Sequence, residues 1–210
     1  MTPRELWLRA AERWAFVQVV LTVEYFLVGI LWLRAAKPGA DPFRPADPYL
    51  AMLEVLIILS AGAFIILAAA ARGTADEAGR PWGSAGLSFS ILFAALTCGA
   101  HIAQLTVLPR TPAPVVTWPS VPMALDLIAW ELFFGAALVC IALATWREPE
   151  WPRSLFLGAG LFCIAGTSGP ASGHLKLHLL ATVGYALIFP AACFVLWLRV
   201  RSSHGEASAA

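Results

Sequence analysis

The sequence predicts an all-α integral membrane protein, a helical bundle of about six transmembrane helices. Three observations carry that prediction. Hydrophobic residues make up 60% of the 210 residues and charged residues 13%, about half the charged share of a soluble domain. The apolar residues gather into six runs close to the ~20 residues that a bilayer core requires. Clusters of Pro, Gly and charged residues separate the runs, as connections do.

Taken in order, residues 5–13 read as an interfacial helix with Trp7 and Leu8 facing lipid. Residues 14–33 form the first span. This run is too long for a signal-peptide core and carries Glu24 at its centre, so no cleavable leader is expected. The Pro-rich residues 37–48 connect it to the second span at 49–71. The third span is 87–108, and a second Pro-rich connection covers 109–122. The fourth span, 122–145, carries Glu131. The fifth, 155–169, is short and runs into Gly166-Thr167-Ser168-Gly169-Pro170-Ala171-Ser172-Gly173, which reads as a turn or a broken helix end. The sixth is 175–198. Residues 1–201 are thus expected to form a single transmembrane bundle domain, and residues 202–210 a disordered tail. No internal repeat is evident.

Six spans put the N-terminus, the second and fourth loops and the C-terminus on one side. That side holds nine of the fourteen basic residues: Arg4, Arg9, Arg13, Arg72, Arg80, Arg147, Arg153, Arg199 and Arg201. The other side holds Arg34, Lys37, Arg44, Arg110 and Lys176. The excess predicts cytoplasmic termini in a membrane of the bacterial inner type. Eight of the nine tryptophans fall near span ends or in loops, as an aromatic belt requires. Trp130 is the exception. Cys98, Cys140, Cys163 and Cys193 lie in apolar runs without a CxxC pair and read as reduced, buried thiols. A net charge of +1 offers no electrostatic case for nucleic acid.

Polar residues inside the spans point to function, because an ionisable group in a bilayer is expensive. Glu131 leads, roughly 13 Å along its helix and beside Trp130. Glu54 opens the second span, His101 and Gln104 close the third, Asp126 and Glu131 lie in the first half of the fourth, and His174 and His178 open the sixth. Neighbouring spans run in opposite directions, so all of these collect in the membrane half away from the termini. Glu24 lies near the midplane. On a regular helix His101 and Gln104 share a face, Asp126, Trp130, Phe133 and Phe134 form a stripe, and His174, His178 and Tyr185 align.

Plainer readings stand beside these. Glu54 and Asp126 can face headgroup water and favour a helix N-terminus. His101 and Gln104 can make an interhelical hydrogen-bond pair. Glu24 can pair with a buried polar partner. His174 and His178 have metal-ligand spacing but lack a third ligand, so no metal and no cofactor is assigned.

A carboxyl in an apolar site tends to keep its proton and becomes a donor in a dry pocket. Aromatic faces stabilise cations. Together they suit protonation of an alkene or epoxide of an isoprenoid, with a second carboxylate or a His taking the final proton.

Ile128-Ala129-Trp130-Glu131, followed by Leu132-Phe133-Phe134, resembles the Trp-Glu helix motif of small integral-membrane, non-squalene terpene cyclases of meroterpenoid and drimentine-like pathways. The resemblance implies metal-independent, protonation-initiated cyclisation of a prenylated, lipid-like substrate. It implies Glu131 as acid or cation stabiliser, Asp126 or Glu24 as second carboxyl, and Trp130, Phe133 and Phe134 as a shielding wall. Glu54 also competes for the second carboxyl. His101, Gln104 and Tyr185 would orient groups or accept protons, and His178 and Glu54 would complete the substrate site. The expected partners are an isoprenoid substrate and membrane lipids. An emopamil-binding-type sterol or lipid isomerase would use the same acid-and-aromatic logic. A non-catalytic transport or assembly subunit would use its polar residues as interhelical pairs. A transporter more often shows inverted repeats or paired broken helices.

Overall fold

A computed structural model describes residues 1–36, 48–106 and 120–207. Among the described residues six helices are long and apolar enough to cross a membrane, and no strand occurs. The protein is an all-α six-helix bundle. The predicted connections at 37–47 and 107–119, with Lys37, Arg44 and Arg110, and the tail residues 208–210 lie outside the described residues.

Helix α1 (Pro3–Ala35) starts at a capping box: Glu5 N–H donates to Thr2 Oγ1, and Thr2 N–H donates to Glu5 Oε2. Nothing breaks the helix between residues 13 and 14, so the interfacial helix expected at 5–13 is the first part of α1. Leu8 is buried rather than lipid-facing, and Trp7 packs so closely on Gly73 that a side chain there would overlap the indole. Helices α2 (Tyr49–Thr74) and α3 (Arg80–Thr106) form the second and third spans.

The fourth span is α4 (Val121–Ile128), a π-helical turn at Ala129–Phe133, and α5 (Phe134–Ala144). The fifth is α6 (Arg153–Gly166) with the short α7 (Ser168–Ser172). Gly173, at φ 76°, takes the left-handed conformation that ends it, so the glycine-rich stretch is the turn it reads as. The sixth span is a 3-10 turn at Leu175–His178, α8 (Leu179–Val183), a second π turn at Gly184–Ile188, and α9 (Phe189–Ala207). Pro190 accounts for the second π turn: it has no N–H to give to the carbonyl four residues back. Helix α9 continues to Ala207, so most of the expected tail is helical backbone.

Each span packs against its chain neighbours, and α1 closes the ring against α9. The fourth span is the core, with 61% of its most apolar window buried against 17% for α1. Close backbone approach sets its contact with α6. A side chain at Gly135 would meet Gly160 O at 2.9 Å, and one at Gly160 would meet Gly135 O at 2.7 Å. Phe64, Phe93, Phe134 and Phe189 fill the centre, with ring centroids 4.6–5.8 Å apart.

Polar contacts gather one end of the bundle. Arg4 pairs with Glu148 and Glu150, Arg147 with Asp76, and Arg199 donates to Pro149 O. These tie the start of α1, the turn after α2, the turn after α5 and the last part of α9 to the same face. The cysteines are free; three are buried and Cys98 is half-buried.

Candidate functional site

At the other end, the polar residues of four spans meet in two histidine–carboxyl units. The first is Glu131 with His178. Glu131 is 1% exposed, on the π turn of the fourth span, and its Oε1 lies 2.6 Å from His178 Nδ1 in a hydrogen bond. Gly173 turns the chain back and the 3-10 turn carries His178 inward. Gly169 lets that turn approach: a side chain on Gly169 would sit 2.8 Å from His178 N. Cys163 on α6 is buried close enough to Glu131 to feel its charge, and its thiol faces Ala181 O.

The second unit is Glu54–His101–Asp126, one residue from each of α2, α3 and α4. His101 Nδ1 hydrogen-bonds Glu54 Oε2, and Nε2 lies 3.4 Å from Asp126 Oδ1. Glu54 and His101 are buried, and the Asp126 side chain is 16% exposed. The imidazole therefore sits between two carboxyls. The plainer reading of Glu54 as a headgroup-facing residue does not hold, because the α2–α3 contact covers it. His101 pairs with Glu54 and not with Gln104, which is buried on the same helix one turn further on.

An aromatic wall stands beside the first unit. Trp130 packs on Tyr185 at 5.0 Å, on Phe93 at 4.8 Å and on Phe134 at 5.4 Å between ring centroids. The Tyr185 ring lies 6.4 Å from that of His178, and its hydroxyl shares a hydrogen bond with Thr182. The two π turns meet here: one carries Trp130 and Glu131, the other Tyr185. A π turn costs helix geometry and is found mostly where a side chain must be re-aimed.

Several expected neighbours stand apart. Glu24 is exposed on α1 and lines a shallow groove of about 420 Å³ with Val28, Met52 and Val55, rather than joining either unit. Its buried partner does not exist among the described residues, because α1 turns that face outward. His174 is exposed before the 3-10 turn, and residues 174–178 do not form the regular helix that would align His174 with His178. Among the described residues no group of three or more His, Cys, Asp or Glu side chains is arranged so that it could hold a metal ion. Phe133 stacks on Phe89 at 6.3 Å, one position off the Trp130–Phe134 face, because the π turn shifts the register.

Sequence reasoning did not single out Tyr25, Phe93, Thr182 or Cys163. Tyr25, on α1, is close enough to Glu54 and Asp126 to feel both charges. A phenol within an apolar run was the available signal. Compared with family models, curated proteins and solved structures, the chain matches none.

Proposed function

We propose that this integral membrane protein transfers protons to and from an isoprenoid-type substrate, in the manner of a metal-independent terpene cyclase. The observation that carries the reading is the buried Glu131–His178 pair beside the Trp130–Tyr185 wall. A carboxyl hydrogen-bonded to an imidazole holds a mobile proton in a site screened from water, and the rings next to it stabilise positive charge. In this reading Glu131, with His178 behind it, protonates an alkene or epoxide carbon. Trp130, Phe134 and Tyr185 shield the carbocation. Asp126, partnered by His101, takes a proton from a neighbouring carbon, and the ring-closed product leaves with no net proton gained.

A second reading is a double-bond isomerase. The presence of two histidine–carboxyl units favours it, since allylic isomerisation adds a proton at one carbon and removes another nearby. The bias of basic residues supports cytoplasmic termini, which puts the site in the outer leaflet of a bacterial-type membrane.

The test is Glu131→Gln in membranes supplied with prenylated-indole substrates, epoxidised and not. Turnover should fall about 10²-fold or more, the range of general-acid catalysis. Cyclised products support the first reading and shifted double bonds the second. Wild-type turnover by a folded Glu131→Gln protein rules out the acid role.

A further inference from the structure

The seam where α1 packs on α9 carries the same pattern of side chains on both helices. On α1, Arg9, Arg13 and Phe16 fall at i, i+4 and i+7, on one helix face; on α9, Phe194, Trp197 and Arg201 fall at i, i+3 and i+7. The two helices run antiparallel, so aromatic meets aromatic and basic meets basic. Trp197 packs on Phe16 at 5.2 Å and on Phe194 at 5.7 Å between ring centroids, and the Arg201 guanidinium lies 5.4 Å over the Trp197 ring. Beyond the rings, toward the chain termini, Arg9, Glu12, Arg13 and Arg201 line a cleft of about 340 Å³.

The cleft has positive charge to spare. The described Arg ion pairs at this end are those of Arg4 with Glu148 and Glu150 and of Arg147 with Asp76; among the described residues Arg9, Arg13 and Arg201 make none. A guanidinium is always charged, so three of them against one carboxyl leave an excess of at least two positive charges, whether Glu12 is ionised or not. Arg9 and Arg13, like charges one turn apart, cost the helix stability unless an anion lies between them.

Depth selects the anion. Helix α1, of 33 residues, is about 50 Å long against an apolar core of about 30 Å, so its first turns reach past that core. Arg13 directly precedes the apolar run that starts at Trp14, which puts the cleft at headgroup level. Below it Phe16 and Phe194 are 46% and 45% exposed, an aromatic surface open to acyl chains. The planar fork of Arg matches the oxygens of a phosphate, and basic pockets between membrane helices suit phosphate headgroups. A free phosphate would leave the rings unused; a phospholipid engages both halves of the seam.

We propose that the Arg9–Arg13–Arg201 cleft binds an anionic phospholipid. Its phosphate accepts hydrogen bonds from the three guanidiniums, and its acyl chains run over Phe16, Phe194 and Trp197. The cleft lies at the end of the bundle opposite the Glu131–His178 pair, and its occupancy does not depend on turnover.

The full chain, held on affinity resin in dodecyl maltoside and given radiolabelled phosphatidylglycerol, tests it. Saturable binding is expected, displaced by unlabelled phosphatidylglycerol and far less well by zwitterionic phosphatidylcholine. Diacylglycerol and inorganic phosphate, each with only part of the ligand's chemistry, should not displace it. Arg13→Gln and Arg201→Gln should each weaken binding about fivefold, the worth of one basic residue near an anionic headgroup, and together about 25-fold. Arg80→Gln removes an exposed arginine outside the cleft and should bind as wild type. Absence of saturable binding, equal displacement by phosphatidylcholine, displacement by diacylglycerol or by inorganic phosphate, or equal weakening by Arg80→Gln and Arg13→Gln overturns the proposal. So does full affinity in the folded double variant. Where that variant fails to fold, the wild-type competition among the four displacers decides.

Discussion

The Glu131–His178 pair is asymmetric, and that asymmetry fixes what its removal does to stability. The Glu131 side chain is 2% exposed and the His178 side chain 22%. His178→Leu leaves a carboxyl in the core with no partner. Breaking a buried pair from one side costs about 3–5 kcal/mol. Glu131→Leu instead leaves an imidazole that reaches the surface. Its loss is closer to that of one charge-assisted hydrogen bond, about 1.5–3 kcal/mol. The double substitution to Leu removes both polar groups and should be no worse than His178→Leu alone, since replacing both members of a buried pair with apolar groups is often neutral.

Denaturant or thermal unfolding of the four proteins in one detergent, run as a double-mutant cycle, measures these differences. His178→Leu should be the least stable of the four. Equal losses in the two single variants, or strictly additive losses in the double, would refute the reasoning that the carboxyl is the buried, dependent partner.

Three further outcomes follow from the architecture. Trp130→Leu should retain partial activity and divert products toward early-deprotonated, less cyclised forms, read by product analysis, because a poorly shielded cation loses its proton sooner. Gly160→Val should destabilise the bundle by about 3 kcal/mol or more in the same unfolding assay, since its side chain would meet the Gly135 backbone, which has no rotamer to yield. Single cysteines introduced near Arg4 and at Ser202, in a background lacking the four native thiols, should label from the same side of the membrane; labelling from opposite sides would refute the six-span count.

How much of this was legible depends on which force decides each feature. The spans were legible because a bilayer leaves no alternative to long apolar helices. The shared end of the bundle that holds Glu54, His101, Asp126, Glu131 and His178 was legible for a related reason: antiparallel spans convert position along the chain into position along the bundle axis. Depth does not give azimuth. Position along the run puts Glu24 near the midplane, yet α1 is the least buried span and turns that residue outward. Nothing in a run such as Leu21-Thr22-Val23-Glu24-Tyr25-Phe26 tells the lipid side from the bundle side, because both are apolar. The Thr2–Glu5 capping box marks the start of α1, and its continuity through residue 13 follows from the lack of any Gly or Pro from residue 4 to residue 28.

The pairing of Glu131 with His178 lay beyond periodicity for a different reason. Alignment at i, i+4 and i+7 assumes an unbroken helix, and each segment that bears the site departs from one. A π turn admits one extra residue, so it rotates everything after it by about 100° relative to the regular helix. At Ala129–Phe133 this rotation parts Phe133 from the Trp130–Phe134 face. At Gly184–Ile188 the proline at 190 forces a second extra residue, and Tyr185 falls within it. The 3-10 turn at Leu175–His178 departs in the opposite sense, being more tightly wound than an α-helix. Three departures from regular geometry, two of them facing each other through Trp130 and Tyr185, lie where the buried acids and histidines meet, while α2 and α3 run without interruption through the same depth. Pro190 accounts for one of the two π turns, but no proline follows the one at Ala129–Phe133. Aiming particular side chains at a shared point would account for it, and under the proposed cyclase reading that point is where the substrate's reacting carbon sits.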